Sequence, residues 1–476
     1  MEYFAMLGVS TVIIAVLAWT LYRRRGDVGI LVGTVALYYW SLLGAWSIII
    51  DKTGGFSGKH YYYLEYKLFP VSLDSHYMLA LGLYAGFIVM AQLTLLAALS
   101  RQRPRPIPRL ILRHDPILAA GFLAGLGSYY LIRDKLSAAW ALNTSAYWYT
   151  RSQTDQWFTL HQVLNRVALL APAIGFAALL AGRNSRYFLS IRRRYTLPAY
   201  LLLFLGMGIF TFVLGNKNEV LEALVAGTLA YLASVRKPNL LKVSLTVAAG
   251  LWFLYAIDFF RAVPIAGMRA ALSQRLEQAT GVANFVTSSN EAFAAHFSMY
   301  GVLAAGVPPK FGYSLYALVC SIIPRIVWPN RPLDIYFYYS EQVGAVQNQG
   351  YSLHHATGWY LNFGIAGVAL GGIVLGLVWA YCLNAHQRIR AGSGLVFRIF
   401  ATVAPWLFAA YLPPLVRAGP EGYKGFLIEA VLIPVGTLLL ACRPKQARRR
   451  RLPPETEWLL ARPGRSGAAR ETLARR

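Results

Sequence analysis

Apolar stretches of about 20 residues recur along almost the whole chain, and they limit what it can fold into. An α-helix of that length crosses the ~30 Å hydrocarbon core of a lipid bilayer. Of the 476 residues, 57% are hydrophobic and only 14% are charged, whereas soluble domains carry roughly 25% charged residues. The sequence therefore predicts an all-α, polytopic integral membrane protein with about 13 transmembrane helices.

Positive charge is distributed unevenly among the loops, and this predicts the topology. The formal net charge of +26 could by itself indicate a nucleic-acid-binding protein. Arginine-rich segments such as 23–25, 101–109 and 192–194 follow alternate apolar stretches, however, as the positive-inside rule requires of cytoplasmic loops. We therefore expect no nucleic-acid partner, an N-terminus outside the cytoplasm and a C-terminus inside it.

The chain is expected to form one domain followed by a tail. Residues 1–442 contain all the apolar stretches and are predicted to be a single transmembrane domain. Residues 443–476 are rich in arginine and poor in apolar residues, which predicts a disordered, basic cytoplasmic tail that can contact anionic membrane lipids. On the outer side, residues 261–290 have an amphipathic pattern that favours an interfacial or re-entrant segment.

A proline-bounded motif ends one of the later apolar stretches. It reads Ser321-x-x-Pro-Arg-x-x-Trp-Pro-x-Arg-Pro332. A helix cannot continue through three prolines, because each lacks a backbone donor and its ring disturbs the preceding turn. The backbone must leave the helix here, which holds Arg325 and Arg331 near the outer membrane boundary.

Basic residues also lie on the predicted outer side, where the positive-inside rule disfavours them. Arginine binds phosphate oxygens through several planar donors, so these residues predict a site for a lipid-linked phosphate or diphosphate. The alternative is that each one extends to the lipid headgroups or pairs with a nearby acid such as Glu219. The candidate diphosphate-binding residues are Lys217, Arg261, Arg269, Arg325, Arg331 and Arg417.

Three residues are candidates for a proton acceptor. His354 and His355 are adjacent, so their side chains would diverge on a helix or strand, which argues against a metal site. Either one could act as a general base, because histidine titrates near neutral pH. Glu291 is the third candidate, although its place at a helix start also fits a capping role. The cysteines have no metal-ligand spacing, and neither a metal nor a cofactor is expected.

The same motifs carry a resemblance to a known family. The proline-bounded motif, followed by Tyr360-x-Asn-Phe-Gly364-x-x-Gly367 and by Arg417 with Gly419, resembles the oligosaccharide repeat-unit polymerases. These O-antigen-polymerase-like proteins belong to the bacterial inner membrane. The resemblance covers roughly residues 215–425, with two departures. Lys217 replaces an expected arginine, and Gly358 stands where an acidic residue is expected.

The resemblance implies a metal-independent glycosyltransferase of the C-type helical fold. It would join polyprenyl-diphosphate-linked oligosaccharides, one as donor and one as acceptor, at the periplasmic face of the inner membrane, and a chain-length regulator protein could be a partner. The basic cluster would hold the donor's diphosphate, while Trp328, Tyr360 and Asn362 would position the sugars. His354, His355 or Glu291 would assist deprotonation of the acceptor hydroxyl.

Two other functions fit the same sequence features. An O-antigen-ligase-like transferase would move a finished glycan to another acceptor and would not lengthen a lipid-linked chain. A lipid-linked oligosaccharide transporter or flippase would carry its cationic residues along a path between the leaflets. The polar residues gather instead at one face of the predicted bundle, which favours the polymerase.

Overall fold

The computed structural model describes residues 1–54, 68–99, 109–152, 156–235, 239–260, 293–323, 327–345, 351–390 and 392–444. The fold is mostly helical, and its compact unit runs from Met1 to Arg443. The α-helices are α1 (Glu2–Arg25), α2 (Val28–Tyr38), α3 (Gly44–Gly54), α4 (Ser75–Ala98), α5 (His114–Ala141), α6 (Ala146–Ser152), α7 (Gln156–Ala181), α8 (Thr196–Leu214), α9 (Asn218–Ser234), α10 (Leu240–Phe260), α11 (Phe297–Ala304), α12 (Tyr313–Cys320), α13 (Ile335–Gln342), α14 (His355–Asn384), α15 (Leu395–Val416), α16 (Gly422–Gly425) and α17 (Ile433–Ala441).

Nine helical segments within the described ranges are long and apolar enough to cross a membrane. Two of them are composite, since a π-helical segment, Tyr39–Leu43, joins α2 to α3 and a second, Phe426–Leu432, joins α16 to α17. Within the described residues, α10 contributes a shorter apolar segment, Val243–Ile257, and α9 has only 17 residues. The prediction of a polytopic helical fold is therefore confirmed at this level, and the number 13 stays a prediction.

One end of the bundle is defined by a small sheet, and we call it the sheet end. Strands β1 (Leu110–Arg113), β2 (Phe188–Ile191) and β3 (Cys442–Pro444) lie in the order β2-β1-β3, and β1 pairs in parallel with β2. At the same end, Arg25 donates to the Leu383 carbonyl at 2.7 Å. A cation is favourable beside the last carbonyls of a helix, so this bond ties α1 to the end of α14.

Small residues allow the central helices to approach closely. A Cβ atom at Gly372 of α14 would lie 2.7 Å from the carbonyl oxygen of Phe87 in α4, which is too close for any other residue. Helix pairs in membranes gain most from such close packing, because the lipid supplies no hydrophobic drive between them. The contact holds the middle of α14 against α4.

The opposite end is formed by a short hairpin, and we call it the hairpin end. The helices α11 and α12 have eight residues each, or about 12 Å at 1.5 Å per residue, which is less than half of a membrane span. Between them, Lys310 donates its amide to the Leu361 carbonyl at 2.6 Å, less than two turns into α14. Tyr338 donates to the Pro308 carbonyl at 2.8 Å.

This hairpin differs from the expected topology. Hydropathy alone predicts two spans here, at residues 291–307 and 311–324, joined by a cytoplasmic turn at residues 308–310. The turn lies instead at the end where α14 begins, so the described part of the segment enters and leaves the bundle at one end. Because two spans are replaced by a re-entrant pair, the expected placement of the termini on opposite sides is unaffected.

Candidate functional site

Two motif segments pack backbone against backbone at the hairpin end. A Cβ atom at Gly358, in the first turn of α14, would lie 2.8 Å from Cα of Gly419 and 2.9 Å from Cδ of Pro420. Nearby, Nδ1 of His355 lies 2.8 Å from the Ala418 carbonyl oxygen. The resemblance predicts an acid at position 358, and this packing leaves no room for one.

The loop after α15 supplies a carboxyl group at this place. Glu421 is only 9% exposed, and its Oε1 accepts the Ile335 amide at 2.9 Å, which caps the start of α13. Its Oε2 is buried and has no hydrogen-bond partner among the residues that the structure describes. Burial raises the pKa of Glu421 from 4.5 to about 7, and the nearby Asp334 adds to the rise. A carboxyl group in this state can accept or donate a proton near neutral pH.

Arg417 lies beside this carboxyl-bearing loop. It ends α15, is partly buried, and donates to the Ser352 hydroxyl from Nη2 at 2.9 Å and from Nε at 3.3 Å. Ser352 lies three residues before the start of α14, so the arginine is held beside the same helix that packs on Gly419. Its delocalised charge is therefore fixed at the end of a helix that is long and apolar enough to cross a membrane.

Asn362 joins the re-entrant hairpin to α14. Its Oδ1 accepts the Ser314 amide at 2.8 Å, and its Nδ2 donates to the Ser314 hydroxyl and the Gly358 carbonyl, each at 2.7 Å. The Ser314 hydroxyl also contacts the Glu421 carboxylate. Asn362 is fully buried, so it positions its neighbours, while the adjacent Tyr360 is partly buried against the core. We call Glu421, Arg417, Ser352, His355, Ser314 and Asn362 the loop cluster.

Both histidines of the adjacent pair lie in the interior. Nδ1 of His354 accepts the Ala356 amide at 3.1 Å, so its Nε2 carries the hydrogen and donates to the Ser41 hydroxyl at 2.9 Å. Nε2 of His355 accepts from Trp359 at 3.1 Å, so its Nδ1 donates to Ala418. Each ring therefore uses both nitrogens within the protein, which favours a positioning role over proton transfer.

Ser41 links the histidine pair to the re-entrant hairpin. It lies in the π-helical segment Tyr39–Leu43, and its carbonyl is bonded to Nδ1 of His296 at 2.7 Å. The other ring nitrogen of His296 lies 2.9 Å from the Tyr77 hydroxyl. Single turns of π-helix often occur at functional sites, and this one places a serine between two buried histidines.

The proline-bounded motif is held by one of its own arginines. Nη1 of Arg331 donates to the carbonyls of Ser321 at 2.7 Å and Ile323 at 3.0 Å. These carbonyls follow the last turn of α12 and have no helical partner, so the arginine closes the turn. Trp328 is partly buried in the same loop. In this placement Arg331 stabilises the loop by bonds separate from those of the loop cluster.

The remaining candidates divide into two groups. Lys217 immediately precedes α9 and lies two residues before Glu219, which pairs with the buried Arg166. It is therefore not part of the loop cluster. The other four lie outside the described residues: Arg261, Arg269, Glu291 and Arg325. Their roles stay predictions.

Sequence reasoning missed Glu421 and a buried ion cluster, of which it named only Glu219. Glu421 follows Arg417-Ala-Gly-Pro, and only the arginine and glycine of that segment had been considered. The ion cluster consists of Arg166, Glu219, Glu222 and Glu429, three of which lie within apolar stretches. An ionisable residue inside such a stretch is itself a signal of a site, and it could have revealed them.

The architecture is that of a multi-pass helical membrane protein. Comparison of the chain with protein-family models, with curated proteins and with solved structures gives no match. The residues of the site therefore carry the functional argument.

Proposed function

We propose that this protein is a membrane glycosyltransferase that polymerises polyprenyl-diphosphate-linked oligosaccharides at the periplasmic face of the bacterial inner membrane. The proposal rests on the resemblance of three motifs to the repeat-unit polymerases. The observation that carries it is the contact between two of them: Gly358, beside the Tyr-x-Asn-Phe-Gly motif, packs on Gly419, beside Arg417. Motifs separated by some 60 residues in sequence thus form one local site that contains a buried carboxyl group.

In the proposed reaction the acceptor hydroxyl attacks the anomeric carbon of the donor sugar. The new glycosidic bond forms as the bond between that carbon and the diphosphate oxygen breaks. The hydroxyl proton passes to the Glu421 carboxylate, and polyprenyl diphosphate leaves with the electron pair. Oε2 is the oxygen that would take the proton, because Oε1 is engaged by Ile335.

Arg417 would stabilise the charge that develops on the leaving diphosphate. Fixed donors aimed at a developing charge are often the largest single contribution to catalysis. The bonds to Ser352 hold the guanidinium in place before substrate binds, so little reorganisation would accompany the reaction. Arg261, Arg269 and Arg325 remain proposed parts of the diphosphate site, and Trp328 and Tyr360 remain proposed sugar contacts.

We assign to Glu421 the role predicted for His354 and His355, while Glu291 lies outside the described residues and stays a candidate. The two histidines form bonds at both ring nitrogens, so they would position α14 and the loop at residues 417–421. Glu421 combines a free carboxylate oxygen with a pKa of about 7, which suits a general base at neutral pH.

The function can be tested in cells that make the polymer. Arg417→Ala and Glu421→Gln should remove long-chain product while the protein is still made at normal levels. Arg193→Ala is the matched control, because Arg193 is an exposed arginine that pairs with Asp115 near the sheet end. Long-chain product persisting in both site variants would refute the proposal.

Product analysis separates the polymerase from its alternatives. A ligase-like transferase would yield glycan on a second acceptor without lengthening the lipid-linked chain. A flippase would move the lipid-linked oligosaccharide across vesicles without chain growth. Only the polymerase yields a ladder of longer glycans on the polyprenyl diphosphate.

A further inference from the structure

A buried ion cluster joins three helices away from the loop cluster. Nη2 of Arg166 in α7 lies 3.1 Å from a carboxylate oxygen of Glu429, and Nε lies 3.4 Å from Glu222. Nη1 lies 3.8 Å from Glu219, and both Glu219 and Glu222 belong to the beginning of α9. Glu429 lies in the second π-helical segment, before α17.

The charges of this cluster do not balance. One guanidinium faces three carboxyl groups, so the group would carry two net negative charges if every acid were ionised. The start of α9 offsets part of that charge through the helix dipole, but excess charge in a low-dielectric interior costs several kcal/mol. One proton on a carboxyl group would remove much of this cost.

Glu222 is the acid placed to carry that proton. It is 1% exposed, and its Oε1 is buried without a hydrogen-bond partner among the described residues. The side chain of Glu429 is 30% exposed at the surface of the bundle and accepts from the Tyr411 hydroxyl at 3.4 Å, so it has two donors and is less buried than Glu222. The described part of the chain contains no group of His, Cys, Asp or Glu able to hold a metal ion, and a guanidinium at the centre would repel a cation.

We propose that this cluster is a proton-binding site, with one exchangeable proton on Glu222 that reaches the outside of the bundle past the partly exposed Glu429. The ionisable groups that face Glu222 are Arg166, Glu219, Glu429 and Tyr411. The proposal is independent of the glycosyltransferase assignment, since it rests on the ion cluster alone. Loss of the proton would leave the cluster with two net negative charges and loosen the packing of α17 against α7.

The protonation state can be tested by comparing two isosteric variants. Glutamine reproduces a protonated carboxyl group, so Glu222→Gln should leave the thermal unfolding temperature in lipid nanodiscs within about 2 °C of the native protein at pH 7. Glu429→Gln removes the shortest ion pair of Arg166 and should lower the unfolding temperature by several degrees. At pH 9 the unfolding temperatures of the native protein and Glu429→Gln should lie closer together than at pH 7. Glu222→Gln should then have the highest unfolding temperature of the three proteins.

A hydrophobic carbodiimide, dicyclohexylcarbodiimide, provides a second readout, because it reacts with protonated carboxyl groups inside membranes. Peptide mass spectrometry should find its adduct on Glu222 at pH 6, several-fold less of it at pH 9, and none on the exposed Asp134. A Glu222→Gln variant that unfolds as early as Glu429→Gln overturns the proposal. An adduct yield on Glu222 that does not depend on pH overturns it equally.

Discussion

Gly358 and Gly419 bring the beginning of α14 into backbone contact with the loop that carries Glu421. A Cβ atom on Gly358 would lie 2.8 Å from Cα of Gly419, a distance that no ordinary Cβ contact reaches. Both glycines lack a side chain, so the loop can approach α14 closely. This approach brings the carboxyl group of Glu421 beside the helix. This contact connects the motifs from which the function is proposed.

Gly358→Ala should separate these two segments. A methyl group here meets backbone and a proline ring, which cannot turn aside, so we expect a loss of about 1–3 kcal/mol in the free energy of unfolding. Polymer synthesis should fall further than protein level, since Glu421 and Arg417 move relative to α14. Gly206→Ala is the matched control, because a Cβ atom there meets nothing within 4 Å. Equal polymer yield from both variants would contradict the role of the contact.

Arg417→Ala should reduce the rate of chain growth by about 100-fold or more, the effect of removing one fixed donor from a developing negative charge. Arg417→Lys should restore little of the lost rate. An ammonium group lacks the planar set of N–H donors with which a guanidinium can bond Ser352 and an oxyanion at the same time. Chain growth is measured with purified protein and lipid-linked oligosaccharide. Full activity of Arg417→Lys would show that only a positive charge is needed and would exclude the proposed geometry.

Glu421 predicts a pH dependence with a definite sign. As a general base it must be ionised, so kcat should rise about tenfold per pH unit below pH 7 and level off above it, given the pKa of about 7. Glu421→Gln should lose activity by about 100-fold or more and lose this profile, although the amide oxygen can still accept from Ile335. Glu341→Gln, an exposed acid at the end of α13, should behave as the native protein.

The same raised pKa makes the stability of the folded protein fall as pH rises, whereas activity rises. Between pH 4.5 and about 7 the unfolded chain releases the Glu421 proton while the folded protein retains it. The unfolded state thus binds fewer protons in this window, and stability falls as pH rises. Glu421→Gln should remove this contribution, which thermal unfolding at pH 5 and pH 8 would detect. A native protein that gains stability over this window relative to Glu421→Gln would contradict the assignment.

The re-entrant hairpin predicts which residues are accessible from one side of the membrane. A cysteine at Lys310 should react with a membrane-impermeant thiol reagent from the same side as a cysteine at Glu341, and a cysteine at Arg193 from the other side. Background labelling should be low, because the three native cysteines are buried. If Lys310→Cys reacts from the same side as Arg193→Cys, residues 291–307 and 311–324 form two spans and the hairpin is excluded.

The parts of this fold that hydropathy determines could be predicted from the sequence. Long apolar stretches bounded by arginines, such as α1 and α4, appear where expected because membrane thickness sets their length. The α11–α12 hairpin could not be predicted in this way, since both helices are apolar but short and the turns depend on the positive φ angles of Gly306 and Gly312. Hydropathy does not distinguish a short buried helix from half of a span.

Residue type was a weaker guide to the site. Histidine's usual titration range made His354 and His355 candidates for the base, but their burial and bonding partners depend on distant residues such as Ser41 and Ala418. Glu421 has no unusual neighbours in sequence. Its raised pKa comes from burial and from the nearby Asp334, and only the three-dimensional structure shows both.

Chain growth in reconstituted vesicles tests the proposed function most directly. Purified protein would be given polyprenyl-diphosphate-linked repeat units with no other protein or nucleotide present. We expect a ladder of longer glycans on the polyprenyl diphosphate, one polyprenyl diphosphate released for each new linkage, and no ladder with Glu421→Gln or Arg417→Ala. Movement of the lipid-linked units across the membrane without chain growth would contradict the proposed function.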